Sequence, residues 1–468
     1  KKERRHIASK RRDGVEDEGS SLESSDVDAA ARDAVRCLEH AMVVVAGEKT
    51  VYRCVVSPTS SHAHDDSKVP HEYKQALVQA YSSVVASVVD RTMDIIETVF
   101  MKEGGIGATS GRDKESEDGS DPPSPILDVR RAGGAAGAGL RMLDGVRMLG
   151  PSLIKLCDMS QDKGATDNNL SVAANLCMSI HRTTVKNAAK TLENLEKAIK
   201  NDPLEGSSHR PPDASVAAVS ADVVRAIRII IPFDSAYKSV TKRRALQWDP
   251  KTGEEAGNTE VYVRFLINRL LHNLQGKALA YTQDVGVDSQ AKSNLFLMNN
   301  LFYLTEQLGS TGKPHKRKEG DEIDGEMYKI EGAWFKEKIE KMFEEEKMKY
   351  LAQWEVLNKH LSTLDKGDLS FQSANLLSLD SGRIIKGRFT GFIEDFEKIY
   401  YVHKRLTTND PKLRQTLIEE VKEIFVPRYK TFFDTYSKIN FSKKNQEQYL
   451  KYPPMRVESM IGGLYATM

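Results

Sequence analysis

The sequence is short of the residues that usually announce a site. Only four cysteines occur in 468 residues, Cys37, Cys54, Cys157 and Cys177. They stand too far apart for a CxxC pair, which excludes a zinc knuckle and a disulfide framework and points to a reducing, cytosolic compartment. Long apolar runs are missing too. AMVVVAG, from Ala41 to Gly47, is typical of the longest, far below the roughly 20 residues that a bilayer crossing requires. Any membrane association is therefore expected to be peripheral. The opening KKERRHIASKRR has no apolar segment behind it, so no secretory signal is read, and a chain that starts on Lys1 reads as truncated. An excess of one charge is also absent, since 68 Lys and Arg face 67 Asp and Glu for a net charge of +1.

Catalytic patterns are equally scarce. Catalysis needs a nucleophile with its base, paired carboxylates or a metal, and the sequence has no HExxH, no GxSxG and no ExxH pair repeated on two helices. His181, His272, His360 and His403 are scattered over separate helical stretches. The glycine cluster AGGAAGAGL, Ala132 to Leu140, fails as a dinucleotide loop because Met142 stands where the third glycine belongs and no β run precedes it. Neither Gly276 with Lys277 nor Gly312 with Lys313 continues to Ser or Thr, so there is no P-loop. Close helix packing or a flexible interruption explains the glycines more simply. The expectation is a protein that is not an enzyme and needs no cofactor or metal.

What is present is helical periodicity. Apolar residues recur at three- and four-residue steps over about 27–56, 71–102, 169–200, 216–245, 258–284, 288–308, 325–362, 383–408 and 411–437. A segment from Ile126 to Met159 carries the glycine cluster. Pro, Gly and Asp clusters separate these stretches, and 364–382 reads as one more loop. Consecutive helices joined this way pack antiparallel, which predicts an all-α fold, an elongated rod of helical bundles with disordered N-terminal and loop segments. Four regions follow: 1–70, disordered or weakly helical; 71–215, a first bundle with a low-complexity insert near 103–125; 216–382, middle bundles; and 383–468, a C-terminal bundle with a basic tip. Within FLMNNLFYL, Phe296 to Leu304, the amides of Asn299 and Asn300 must find partners if buried, which predicts an interhelical clamp.

The last quarter holds the candidate site. Ile385, Phe389, Phe392, Phe396 and Ile399 share one helix face, and Leu413, Leu417, Val421, Ile424 and Phe425 share another, with Asp410 as N-cap and Pro411 at the first helical position. From Lys430 to Arg456, six cations stand against Asp434 and Glu447, a local net charge of +4. Tyr429, Tyr436, Tyr449 and Tyr452 interleave with them. A basic, aromatic-bearing end attracts an anionic surface, either bilayer headgroups or nucleic-acid phosphate.

The same residues carry a resemblance. KGRF at Lys386 to Phe389, Leu413 with Arg414, VPRY at Val426 to Tyr429 with Phe432 and Phe433, and FSK…YLKY closing in VESMIGGLY resemble, together with FLMNNLFYL, the seventy-kilodalton Exo subunit family of the exocyst, exocyst component seven. The resemblance covers about 215–468. It implies a non-enzymatic, cytoplasmic protein, peripheral at the plasma membrane and at sites of secretion, that helps tether secretory vesicles during exocytosis. It implies binding of phosphatidylinositol 4,5-bisphosphate through the C-terminal tip, and as partners other exocyst subunits and a Rho-family GTPase. Lys438, Lys443, Lys444, Lys451 and Arg456 are the candidate lipid-binding residues. The family's tail has two lysines around a tyrosine; here Gln448 takes the first place and Lys451 the second, and one extra residue between Phe441 and Tyr449 lets Lys443 or Lys444 compensate. The family's N-terminal coiled coil has no counterpart, because residues 1–125 lack sustained heptads. Two other readings use the same chain: a helical nucleic-acid adaptor with Tyr449 and Tyr452 stacking on bases, against which the near-neutral total charge counts, and a helical scaffold without lipid contact.

Overall fold

The computed structural model describes residues 19–56, 71–98, 128–157, 168–207, 209–241, 259–284, 288–309, 333–362, 369–373 and 375–466. The low-complexity stretches at 58–70 and 103–125 and the basic run KPHKRK at 313–318 lie outside them. The regular secondary structure of the described residues is helical apart from one two-stranded hairpin, as the periodicity predicts. The chain divides into two compact units, one of Lys1–Asp202 with Arg225–Arg269 and one of Pro203–Val224 with Leu270–Met468.

The first unit is built on α1 (Gly19–Val56), α2 (His71–Thr98), α3 (Val129–Cys157) and α4 (Asn168–Asn201). Helix α1 begins at Gly19, ahead of residue 27, where the apolar pattern starts. Helix α3 packs on α1 and α4, and its glycine cluster is neither loop nor interruption but continuous helix. A Cβ on Gly133 would meet the Ala226 Cβ at 2.8 Å, and one on Gly137 would overlap the Ile229 side chain. The glycines therefore let the backbone of α3 approach α5 (Ala218–Ile230) within the van der Waals reach of a methyl group. The single helix expected over 216–245 is broken. Pro232 has no N–H to donate and crowds the preceding turn, so α5 ends in a 3₁₀ turn, Ile231–Phe233, before α6 (Asp234–Thr241).

Helix α7 (Thr259–Gln283) contributes residues to both units. The second unit continues with α8 (Ser289–Leu308) and with α9 (Lys341–Glu355), which a π turn at Lys336–Glu340 precedes and a 3₁₀ turn at Val356–His360 ends. Along this stretch Phe335, Ile339, Tyr350, Trp354, Leu357 and Leu361 are buried, while Trp334, Met342, Phe343 and Leu351 are half-buried. Glu346 falls on the same face, 8% exposed, and there its carboxylate accepts from the Asn294 amide at 2.7 Å and from Lys349 at 2.5 Å.

The stretch 364–382, read as a loop, holds ordered structure. Strands β1 (Phe371–Ser373) and β2 (Leu376–Leu377) pair antiparallel, and α10 (Leu379–His403) already starts within it. A hairpin this short has too little apolar alternation to show in the sequence; it persists because β2 also bonds a second partner, Leu377 N donating to Asn440 O at 3.1 Å. Ser378 caps α10, accepting from Ser381 N.

Helix α11 (Pro411–Tyr436) begins as its sequence predicts, with Asp410 Oδ1 accepting from Lys412 N at 2.8 Å and Leu413 N at 3.1 Å. It packs on α10 through ring pairs: Phe389 with Phe432 (4.8 Å), Phe392 with Tyr429 (4.1 Å) and Phe396 with Phe425 (6.2 Å). Residue numbers climb on one helix as they fall on the other, so the two run antiparallel. The rings of these pairs are all buried.

The expected clamp is present within this unit. Asn299 Nδ2 donates to Ala214 O at 2.8 Å and to Thr407 O at 2.9 Å. Asn300 Oδ1 accepts from Ala217 N at 3.0 Å and Ser220 Oγ at 2.7 Å, while its amide donates to Phe296 O. Two adjacent asparagines on α8 thus tie the segment before α5 to the turn after α10.

Candidate functional site

The five candidate cations lie on the segment that follows α11. It runs along α10 as a strap, pinned by aromatic side chains on its inner side. Phe441 stacks on Phe389 with ring centroids 5.3 Å apart, and its carbonyl would be 2.8 Å from a Cβ on Gly382, so glycine there lets the strap lie close. Tyr449, from the short α12 (Gln446–Tyr449), meets the Phe441 ring edge-on at 5.9 Å. Tyr452 meets Phe396 edge-on at 5.7 Å, and its backbone carbonyl accepts from the Tyr429 hydroxyl at 2.5 Å. Helix α13 (Pro454–Gly462) follows, with Val457 and Ile461 buried.

Lys438, Lys443 and Lys444 belong to one closed loop. Gln446 Nε2 donates to Ile439 O at 3.1 Å, Asn375 Nδ2 donates to Lys438 O at 3.3 Å and Asn440 N donates to Asn375 O at 2.9 Å. Asn445 takes the left-handed conformation, φ 55°, that turns the loop into α12. All three lysines are exposed, and none makes an ion pair among the described residues.

Lys451 and Arg456 form a second group. Lys451 Nζ donates to Glu397 Oε1 at 2.6 Å, and the Tyr452 hydroxyl donates to the same oxygen at 2.5 Å. Over the Tyr452 ring stand Lys451 Nζ, 5.1 Å from the centroid, and the Arg456 guanidinium, at 5.3 Å. Hydrogen bonds from Lys451 and then from Tyr452 hold the Glu397 carboxyl below its usual range, and the same bond raises Lys451. The levels at which the two groups meet α10, Gly382 and Glu397, are about 22 Å apart at ~1.5 Å of rise per residue. Lys438, Lys443 and Lys444 thus stand at one level of α10 without an ion pair among the described residues, and Lys451, paired with Glu397, stands with Arg456 at another.

One residue of this site was not legible beforehand: Glu397 lies far from Lys451 in sequence, and nothing local ties the two together. One expectation is corrected: Tyr452 cannot stack on a nucleic-acid base, because it is 4% exposed. Among the described residues no group of His, Cys, Asp and Glu side chains is arranged to hold a metal ion, and no helix is long and apolar enough to cross a membrane.

Several known proteins are similar to this chain. Exocyst complex component EXO70A1 of Arabidopsis thaliana is 23% identical over 59% of this chain and 40% of its own length. Exocyst complex component 7 of Homo sapiens is 24% identical over 60% of this chain and 36% of its own length. The chain thus matches about two fifths of the length of these curated relatives. A solved structure of S. cerevisiae Exo70 aligns over 96% of this chain and 98% of its own, at 14% identity and a TM-score of 0.40. The family described by the C-terminal part of the Exo70 exocyst complex subunit matches residues 138–463, from inside α3 to the end of α13, reaching well back of residue 215, where the resemblance in spaced motifs begins. With most of its described helices and nearly the whole strap inside that span, the chain belongs to the Exo70 family of exocyst subunits, through their C-terminal part.

Proposed function

We propose that the chain is part of a non-enzymatic exocyst subunit that helps tether secretory vesicles to the plasma membrane, with the strap as its lipid-contact surface. The family is one of exocyst subunits, not enzymes. Other exocyst subunits and a Rho-family GTPase are the protein partners this reading implies, and it has the protein work in the cytoplasm, peripheral at the plasma membrane. The observation that carries the lipid contact is the exposure of Lys438, Lys443 and Lys444 in one closed loop without an acidic partner. Each Lys or Arg close to an anionic leaflet strengthens binding by a factor of about five before screening, so the strap binds phosphatidylinositol 4,5-bisphosphate reversibly where one cation would not.

Flotation on vesicles with and without phosphatidylinositol bisphosphate tests it. Reversal of Lys443, Lys444, Lys451 and Arg456 to Glu is expected to lower binding by more than about a hundredfold. Binding that survives this change would remove the strap from the reading and leave a scaffold without lipid contact at this surface. A single-strand DNA binding assay run beside it tests the nucleic-acid reading, which keeps only the half-buried Tyr449 as a stacking residue because Tyr452 is buried.

A further inference from the structure

Glu397 sits where an anionic headgroup would meet the second cationic group. One oxygen, Oε1, accepts from both Lys451 Nζ and the Tyr452 hydroxyl, and a second cation, Arg456, stands over the same ring. An ammonium and a hydroxyl thus converge on one carboxylate oxygen that the protein itself supplies, and a guanidinium lies against the same ring. The pair is open to exchange: the Lys451 side chain is 51% exposed and that of Glu397 29%. The contrast with the other cationic group is direct, since Lys438, Lys443 and Lys444 have no such partner among the described residues.

We propose that Glu397 is an internal competitor of the lipid headgroup, holding Lys451 against α10 until a phosphomonoester on the bilayer displaces it. The proposal rests on the lipid-contact reading above and deepens it. A carboxylate carries one charge, whereas a phosphomonoester carries about −1.5 to −2 with three acceptor oxygens, so it outcompetes Glu397 for the same donors. Docking then has an order. The free loop makes the first contact, and Lys451, with Tyr452 and Arg456, is recruited only where a phosphomonoester headgroup is present. An uncharged or merely diester-rich surface leaves the Glu397 pair closed. Because its hydrogen bonds keep the Glu397 carboxyl below the usual range, the competitor stays ionised at neutral pH.

The test is a double-mutant cycle on the whole chain, read as binding to phosphatidylcholine vesicles containing phosphatidylinositol bisphosphate. Glu397→Gln is expected to tighten binding about two- to fivefold, the range spanned by an exposed ion pair, and to give no gain in a Lys451→Gln background. No gain in either background, or an equal gain in both, would overturn the proposal, the second because it marks a general charge effect. Glu397→Gln keeps an acceptor for the Tyr452 hydroxyl, and thermal unfolding identifies loss of the strap's fold; Glu397→Ala, read the same way where Gln perturbs the fold, must give the same Lys451-dependent gain. The lipid-contact reading fails separately, if reversal of Lys443, Lys444, Lys451 and Arg456 leaves vesicle binding intact; if that reversal abolishes binding and Glu397→Gln gives no gain, only the competitor is lost.

Discussion

Replacing Asn299 by leucine removes a buried donor pair with little change in volume. Its amide, 4% exposed, is the shared donor to Ala214 O and Thr407 O, on residues that are 0% and 6% exposed. Removing the donor leaves two buried carbonyls unpaired, each at a cost of about 1–3 kcal/mol. The substitution is therefore expected to destabilise the second unit by about 2–6 kcal/mol, a large share of the ~5–15 kcal/mol that a domain has. Trp354, fully buried in the same unit, supplies the fluorescence signal for denaturant unfolding. The expected result is a lowered midpoint at unchanged slope. Asn299→Asp should be worse than leucine, because it turns a carboxylate toward two carbonyl oxygens. Met455→Ala, at an 83% exposed position, serves as the control and should lie within about 0.5 kcal/mol of wild type. If Asn299→Leu also fell in that range, the clamp would be a by-product of packing and the reasoning would be refuted.

Three further outcomes are expected. Gly137→Val places a branched side chain into the Ile229 contact and should destabilise the first unit by about 1–3 kcal/mol, measured by hydrogen exchange along α3. His403 is 1% exposed, lies 2.6 Å from the Tyr350 hydroxyl through Nδ1, and burial lowers its pKa to about 3. Its folded value lies below the unfolded one near 6.5, so its contribution is complete above pH 6.5 and is lost as pH falls toward 3. That loss amounts to about 2 kcal/mol by pH 5, and in a His403→Leu variant the slope of stability against pH between 6.5 and 5 should flatten. Asp410→Ala removes the acceptor for Lys412 N and Leu413 N and should cost about 1 kcal/mol; an unchanged unfolding midpoint would count against the cap.

The motifs that carry the family resemblance prove to be largely packing residues. Phe389, Val426, Tyr429, Phe432, Val457, Ile461 and Tyr465 are all buried. They were readable because helical periodicity and aromatic size are local properties, and two antiparallel faces of Phe and Tyr have few ways to interlock. The lysines of the strap were readable as charge but not as arrangement, since charge density along a chain says nothing about which neighbours other elements bring.

By itself the sequence determined the helical class, the start of α11 at Asp410 and Pro411, the need of Asn299 and Asn300 for partners, and the concentration of positive charge after α11. Each follows from contacts within a few residues or from the energy of an unpaired buried group. The tertiary structure alone decided that the glycine cluster packs against α5, that a hairpin lies within an apparent loop, and that Lys451 is held by Glu397. These depend on which distant segments meet, and the free energy of that meeting is distributed over both partners, so neither segment's sequence contains it.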